Sequence, residues 1–189
     1  MTEATIQDKT MTATFAGGCF WCMEPPFKDL KGVTSVTVGY TGGHKANPTY
    51  EEVCTGTTGH AEAIQVVYDP AQISYQKLLE TFWHNIDPTS MNAQFADHGT
   101  QYRSAIFTHS DAQRQTAEAV KQEITAAKIW HAPLVTEIVP FQAFYEAEEE
   151  HHDYFARNPW SGYCQVVVAP KVAKFRKQFT DRLKRAAAE

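Results

Sequence analysis

Segments of strand character alternate with segments of helical period along almost the whole chain, and this alternation limits the fold more than any other feature of the sequence. Thr12 to Ala16 is a short β-type run ending at Gly17 and Gly18, after which CFWCMEPPFKDL reads as a helix kinked or broken by Pro25 and Pro26. Val33 to Val38 is β-branched at nearly every position; AEAIQVVYD, Tyr102 to Thr108 and Val135 to Val139 supply further strands. Ser74 caps a helix whose Leu78, Leu79, Phe82, Trp83 and Ile86 share one stripe, and Ser110 caps another running to about Lys128. No glycine fingerprint of a dinucleotide fold interrupts the pattern. The expected architecture is therefore α+β, a two-layer α/β sandwich with a mixed sheet.

The remaining stretches read as connections. GYTGGHKANPT is dense in turn formers, TYEEVCTG can make one helical turn, and residues 87 to 101 form a polar loop long enough to carry function. FYEAEEEHHDYF reads as an acidic helix, followed by GYC, a short apolar run and a basic helix with apolar residues at 172, 175, 179 and 183. Residues 1 to 10 are patternless and read as a loose tail, and 11 to 189 as one catalytic domain, since 43% hydrophobic residues suffice to close one core.

Charge and targeting signals narrow the function. Seventeen Lys and Arg stand against 22 Asp and Glu, and a net charge of -5 repels phosphate backbones and anionic lipid, so neither nucleic acid nor membrane is an expected partner. The N-terminus lacks a basic region followed by an apolar run, and no stretch approaches the ~18 apolar residues of a membrane span. A cytoplasmic monomer is the expectation. Four cysteines are too few for a disulfide scaffold and are read by their neighbourhoods.

The most informative neighbourhood is GGCFWC. Cys19 stands at the start of a helix, where unpaired N–H groups and the helix dipole favour a thiolate and draw the thiol below its free pKa of about 8.5. Phe20 and Trp21 can wall an apolar pocket beside it, although packing alone would explain either ring. Cys22 completes a CxxC, which also suits a thioredoxin-like dithiol oxidoreductase using Cys19 and Cys22. Glu62 opens an otherwise apolar strand, and burial there would raise its pKa towards neutrality and make it a proton donor. His60, Ala61 and Glu62 spell the H-x-E of zinc deaminases, but the only CxxC lies upstream, so no metal is expected; adjacent His151 and His152 read as solvated or structural. Asp97 and Tyr102 flank a glycine turn, and Tyr50 sits in another polar loop; two phenols beside Glu62 would hydrogen-bond a substrate oxygen. Cys54 reads as a buried inert thiol. Cys164, preceded by Gly162, reads as a loop thiol able to swing onto an oxidised Cys19.

GGCFWC, NPTYEEVC, GTTGHAEAI, DHGTQYRSAI and GYC together resemble, in content and order, the signature segments of the type A peptide methionine sulfoxide reductases, over about residues 12 to 164. The resemblance implies an α/β plait core of ferredoxin-like kind and reduction of the S epimer of methionine sulfoxide, in oxidised proteins and as the free amino acid. By the same resemblance Cys19 attacks the sulfoxide sulfur, Phe20 and Trp21 hold the methyl group, and Glu62 donates the proton. Tyr50 and Tyr102 bind the oxygen, Asp97 organises the pocket, and Cys164 closes a disulfide on the Cys19 sulfenic acid. No bound cofactor is implied; thioredoxin, or dithiothreitol in its place, reduces the disulfide. Two features depart from the family pattern: Cys22 replaces a common glycine, and the tail lacks a glycine-rich segment with a further cysteine. Cys22 is thus a possible second resolving thiol, its approach expected to need local unwinding where Cys164 needs only loop motion.

Overall fold

The structure, a computed structural model, describes residues 9–184, so most of the expected N-terminal tail and the last five residues lie outside it. The chain runs β1 (Met11–Gly17), α1 (Phe20–Lys28), β2 (Val33–Thr41), α2 (Tyr50–Cys54), β3 (Ala61–Tyr68) and α3 (Tyr75–Asn85). A small hairpin, β4 (Ala93–Gln94) and β5 (Asp97–His98), precedes β6 (Ser104–Thr108), α4 (Asp111–Ala126), β7 (Glu137–Pro140) and β8 (Phe144–Glu146). The C-terminal part comprises a 3-10 turn (Glu149–His151), α5 (Tyr154–Arg157), a π-helical turn (Cys164–Val168) and α6 (Ala169–Gln178).

Six strands form one mixed sheet in the order β7-β6-β1-β3-β2-β8, every neighbouring pair antiparallel except β6 and β7. Alternation sorts the side chains. Ala13 and Phe15 of β1, Ile64, Val66 and Tyr68 of β3 and Ile106 of β6 join Phe27 of α1 and Leu78, Leu79 and Phe82 of α3 in the main core. Phe15 lies 5.5 Å from Phe27 and 5.2 Å from Phe82, ring to ring. The opposite face is lined by small residues, Ala16, Ala61, Ala63 and Ala105, with Phe107. Glu62 shares the parity of Ile64 and Val66, so it faces the helices. The register that sets Phe15 opposite Ile64, carried two residues further, puts Glu62 beside Gly17, where the chain enters α1.

Several sequence expectations change. β2 continues through Thr41 rather than ending at Val38, because β3 pairs it on one side and β8 on the other; a Cβ on Gly39 would lie 2.4 Å from the Tyr145 carbonyl oxygen. Pro25 and Pro26 do not break α1, which runs unbroken across both. The expected acidic helix over FYEAEEEHHDYF is absent: Phe144–Glu146 pair with β2, consecutive glutamates offer no apolar stripe, and Asp153 at φ 51° interrupts helical geometry. Cys164 lies not in a loop but in the π-helical turn leading into α6. The polar loop 87–101 is tied by Gln94, whose Oε1 accepts from Asp87 N (2.8 Å) and whose Nε2 donates to Asp87 O (2.8 Å).

Candidate active site

β1 delivers Cys19 to the N-cap of α1, and β3 delivers Glu62 to the same point. Cys19 makes no side-chain cap bond. Instead, Phe20 N donates to Glu62 Oε2 at 3.0 Å, so a strand carboxyl takes one of the N–H groups that a helix start leaves unpaired. Glu62 is 1% exposed. Burial pushes its carboxyl up to about 8, with the charges of Asp97 and Cys22 adding and the Phe20 N–H opposing. Burial also pushes the Cys19 thiol well up, reinforced by the Cys22 thiol and the Glu62 charge. This corrects the expectation of a lowered Cys19 pKa: the helix start favours a thiolate, but the site is desolvated and its N–H is already partnered by a carboxyl. Protonating Glu62 removes that opposing charge.

A second group surrounds Cys22. Cys19, Cys22 and Cys164 share one apolar cluster with Val168 and Val172, against which Trp21, Tyr102, Tyr154 and Tyr163 pack. The Tyr163 hydroxyl donates to Asp97 Oδ2 at 2.7 Å and lies 3.8 Å from Cys22 Sγ. Cys22 is drawn down to about 7 by the hydrogen bond with Cys19, with Lys171 and Tyr163 adding. Cys164, expected to swing freely, is wholly buried, its backbone N bonded to Ser161 Oγ at 3.1 Å. Cys54, expected to be buried, is exposed at the end of α2.

The third group is aromatic. Phe20 is wholly buried, its ring 5.8 Å from Tyr40, 6.5 Å from Tyr50 and 5.5 Å from His151. Trp21 is partly exposed, stacks on Tyr154 at 3.7 Å, and donates its indole N–H to His151 Nδ1 at 3.3 Å. Glu148 ties this wall together: it accepts from the Tyr40 hydroxyl and from Tyr50 N, both at 2.9 Å, and lies 3.5 Å from His151 Nε2. Burial pushes the His151 imidazole down and the Tyr50 and Tyr102 phenols up, with Glu62 adding to both phenols, so near neutral pH the phenols keep their protons as donors.

The structure thus gathers Cys19, Phe20, Trp21, Cys22, Tyr50, Glu62, Asp97, Tyr102 and Cys164 around the start of α1. Sequence reasoning missed His151, Glu148, Tyr154 and Tyr163. The i, i+3 spacing of Glu148 and His151 was a signal, hidden by reading the segment as a solvated helix. His60 is satisfied within its loop, Nδ1 accepting from Gly43 N (3.0 Å) and Nε2 bonded to Lys45 O (2.6 Å). Among the described residues no group of three or more His, Cys, Asp or Glu is placed to hold a metal ion.

Comparison with known proteins adds a lineage to this geometry. The family model described as peptide methionine sulfoxide reductase matches residues 11–183. The peptide methionine sulfoxide reductase MsrA of Granulibacter bethesdensis is 56% identical over 173 residues, 92% of this chain and 94% of its own. Mxr1 from Saccharomyces cerevisiae in reduced form superposes with a TM-score of 0.78 at 37% identity, covering 84% of this chain and 91% of that one. The same yeast protein in complex with Trx2 gives 0.55 at 28% identity, covering 81% and 90%.

Proposed function

The chain belongs to the peptide methionine sulfoxide reductase family, and from that premise we propose how its residues divide the work of returning methionine sulfoxide to methionine. The Cys19 sulfur attacks the sulfoxide sulfur while Glu62 hands its proton to the sulfoxide oxygen. Tyr50 and Tyr102 donate hydrogen bonds to that oxygen, Phe20 and Trp21 receive the methyl group, and Asp97 fixes Tyr163 at the pocket edge. Methionine departs and Cys19 keeps the oxygen as a sulfenic acid. A second thiol, Cys22 or Cys164, then displaces it as water and closes a disulfide.

One observation carries this reading: a carboxyl 1% exposed, held up to about 8, bonded to the backbone N of the residue next to Cys19. Such a group is a proton donor at neutral pH. A plain dithiol oxidoreductase built on Cys19 and Cys22 leaves it without a task. The test is incubation with methionine sulfoxide and dithiothreitol: wild type produces methionine and Cys19→Ser produces none, whereas turnover by Cys19→Ser would refute the assignment. Offering the two sulfoxide epimers separately, free and within a peptide, checks the preference for the S epimer and the reach to protein-bound substrate.

The yeast complex with Trx2 supports thioredoxin as the reductant of the disulfide, with dithiothreitol as its substitute. A reducing cytoplasmic setting fits four free cysteines. For the fold, the strand order β6-β1-β3-β2, antiparallel throughout, with α1 following β1 and α3 following β3, supports a ferredoxin-like plait in two layers.

A further inference from the structure

The reaction above gives no task to Glu24, a carboxyl only 2% exposed on α1. A charge buried that deeply is destabilising unless it is paired and hydrogen-bonded, and an apolar side chain of similar size would fill the space without that penalty. We propose that Glu24 is a positioning residue for the substrate pocket: by holding the backbone N–H of Asp153 it fixes the left-handed turn that lays Tyr154 on Trp21. This rests on the sulfoxide-reductase reading, in which Trp21 receives the methyl group, and adds a residue to it.

Helical spacing is the first support. Trp21, Glu24 and Lys28 follow one another at intervals of three and four residues, so they form one stripe along α1. All three meet the same two residues. Trp21 stacks on Tyr154 with centroids 3.7 Å apart and planes 7° from parallel, and Glu24 Oε1 accepts from Asp153 N at 3.1 Å. The Lys28 ammonium donates to the Asp153 carboxylate and lies 3.5 Å from Glu24 Oε1. Arg176, which lines the same cleft, is held by Asp29 at 2.7 Å, and Lys28 is the cation that answers Glu24.

The backbone is the second. Asp153 has φ 51° and ψ 31°, a left-handed conformation that strains a residue with a Cβ and persists where its neighbours impose it. Asp153 is the N-cap of α5, yet its side chain makes no cap bond, so the helix it starts does not fix the turn. The residues around it depend on that turn. Tyr154 comes next, and His151, two residues back, accepts the Trp21 indole N–H at 3.3 Å.

The unequal burial of the polar links is the third. The Lys28 and Asp153 side chains are 35% and 50% exposed, so water screens their ion pair and it holds the turn weakly. Glu24 works out of water, where a hydrogen bond to a charged acceptor is strong. Burial holds its carboxyl above the usual range, with the Asp153 charge adding and the Asp153 N–H and Lys28 opposing.

The test is methionine formation by the reduced full chain in single turnovers over a range of sulfoxide concentrations, which gives a half-saturating concentration and a plateau rate. Glu24→Met keeps the bulk and loses the acceptor. It should raise the half-saturating concentration about tenfold, the scale of one hydrogen bond to a charged group, and leave the plateau rate within about twofold. Glu24→Gln still presents an oxygen to Asp153 N and should stay within about threefold of wild type. Asp153→Ala and Asp153→Gly both remove the carboxylate, but only alanine resists the left-handed turn; alanine should raise the half-saturating concentration at least about threefold, and glycine should not. Asp153→Gly added to Glu24→Met should recover at least about threefold of the loss, a rescue that a merely space-filling Glu24 would not show. The proposal is overturned, with the sulfoxide-reductase reading intact, by any of four results: half-saturation of Glu24→Met at the wild-type concentration, a loss confined to the plateau rate, equal behaviour of the two Asp153 variants, or no recovery in the double variant. A wild type that forms no methionine would overturn that reading and this proposal with it.

Discussion

The two walls of the site are built differently. The β1–α1 junction and β3 present Cys19 and Glu62 from regular structure: Glu62 sits in ladder register opposite Tyr40, and its carboxyl is bonded to the first turn of α1. The facing wall, Glu148 to Cys164, arrives on a 3-10 turn, a four-residue helix and a π-helical turn, joined to the first by stacking and by single side-chain bonds. Cys19 and Glu62 occupy the wall whose geometry is fixed by backbone pairing; Glu148, His151, Tyr154 and Tyr163, which back and brace the rings and thiols of α1 and α2, occupy the wall with fewer regular bonds and more freedom to repack.

Substitutions on the two walls should therefore fail in different ways. Glu62→Gln should slow methionine formation in a single turnover by about 10²- to 10⁴-fold with little change in affinity. Wild-type rates should fall as pH rises past about 8, when Glu62 gives up its proton, and the Gln variant should lose that limb. The same carboxyl has a stability signature. Its raised pKa means that the folded state binds the extra proton between 4.5 and about 8, so stability is fully present below that window and declines across it by up to about 1.4 kcal/mol per pH unit, flattening above. Denaturant titrations of Glu62→Gln should show no such slope. A drop below tenfold would break the division between the walls.

Gly18→Ala tests the rigid wall through its backbone. Gly18 has φ +93°, and a Cβ there would lie 2.7 Å from Gln94 Cβ, so the variant should lose about 1–3 kcal/mol in thermal unfolding. Glu148→Gln, on the other wall, should raise KM roughly tenfold and spare kcat, reflecting one or two charge-assisted hydrogen bonds of about 1.5 kcal/mol each. A loss in kcat instead would place Glu148 with the chemistry. Arg157→Ala, removing an exposed side chain bonded to the Glu149 and His152 carbonyls, should change stability by less than about 0.5 kcal/mol; a larger change would show the second wall to be as firmly held as the first.

The same division governs what could be read from the residues alone. The strands, the Ser74 and Ser110 caps, the Leu78-to-Ile86 stripe and the placing of Glu62 on an apolar strand follow from local periodicity and cap chemistry, which act within a few residues. The second wall depends on contacts distant in sequence. Phe144–Glu146 is a strand only because β2 has a free edge, and His151 is buried only because Trp21 and Tyr50 come to meet it. Cys164 shows the limit most plainly: Gly162 and Ser161 suggest a loop, yet the apolar run after it nucleates a helical turn against Cys19 and Cys22. The sense of the Cys19 pKa shift was misjudged likewise, since a helix start is visible in one segment and desolvation is not.

Cys19 leaves only 8% of its surface in reach of solvent, in an apolar cluster against which Trp21 and Tyr102 pack. A sulfur so little exposed is met by a side chain that reaches in, while the chain that bears it stays outside. A damaged methionine lodged in the interior of a folded protein cannot dock without dragging its neighbours against the rim. Repair therefore reads posture more than local sequence: it reaches lesions on protruding loops, on frayed ends and on proteins already loosened by the injury, and passes over those still packed away.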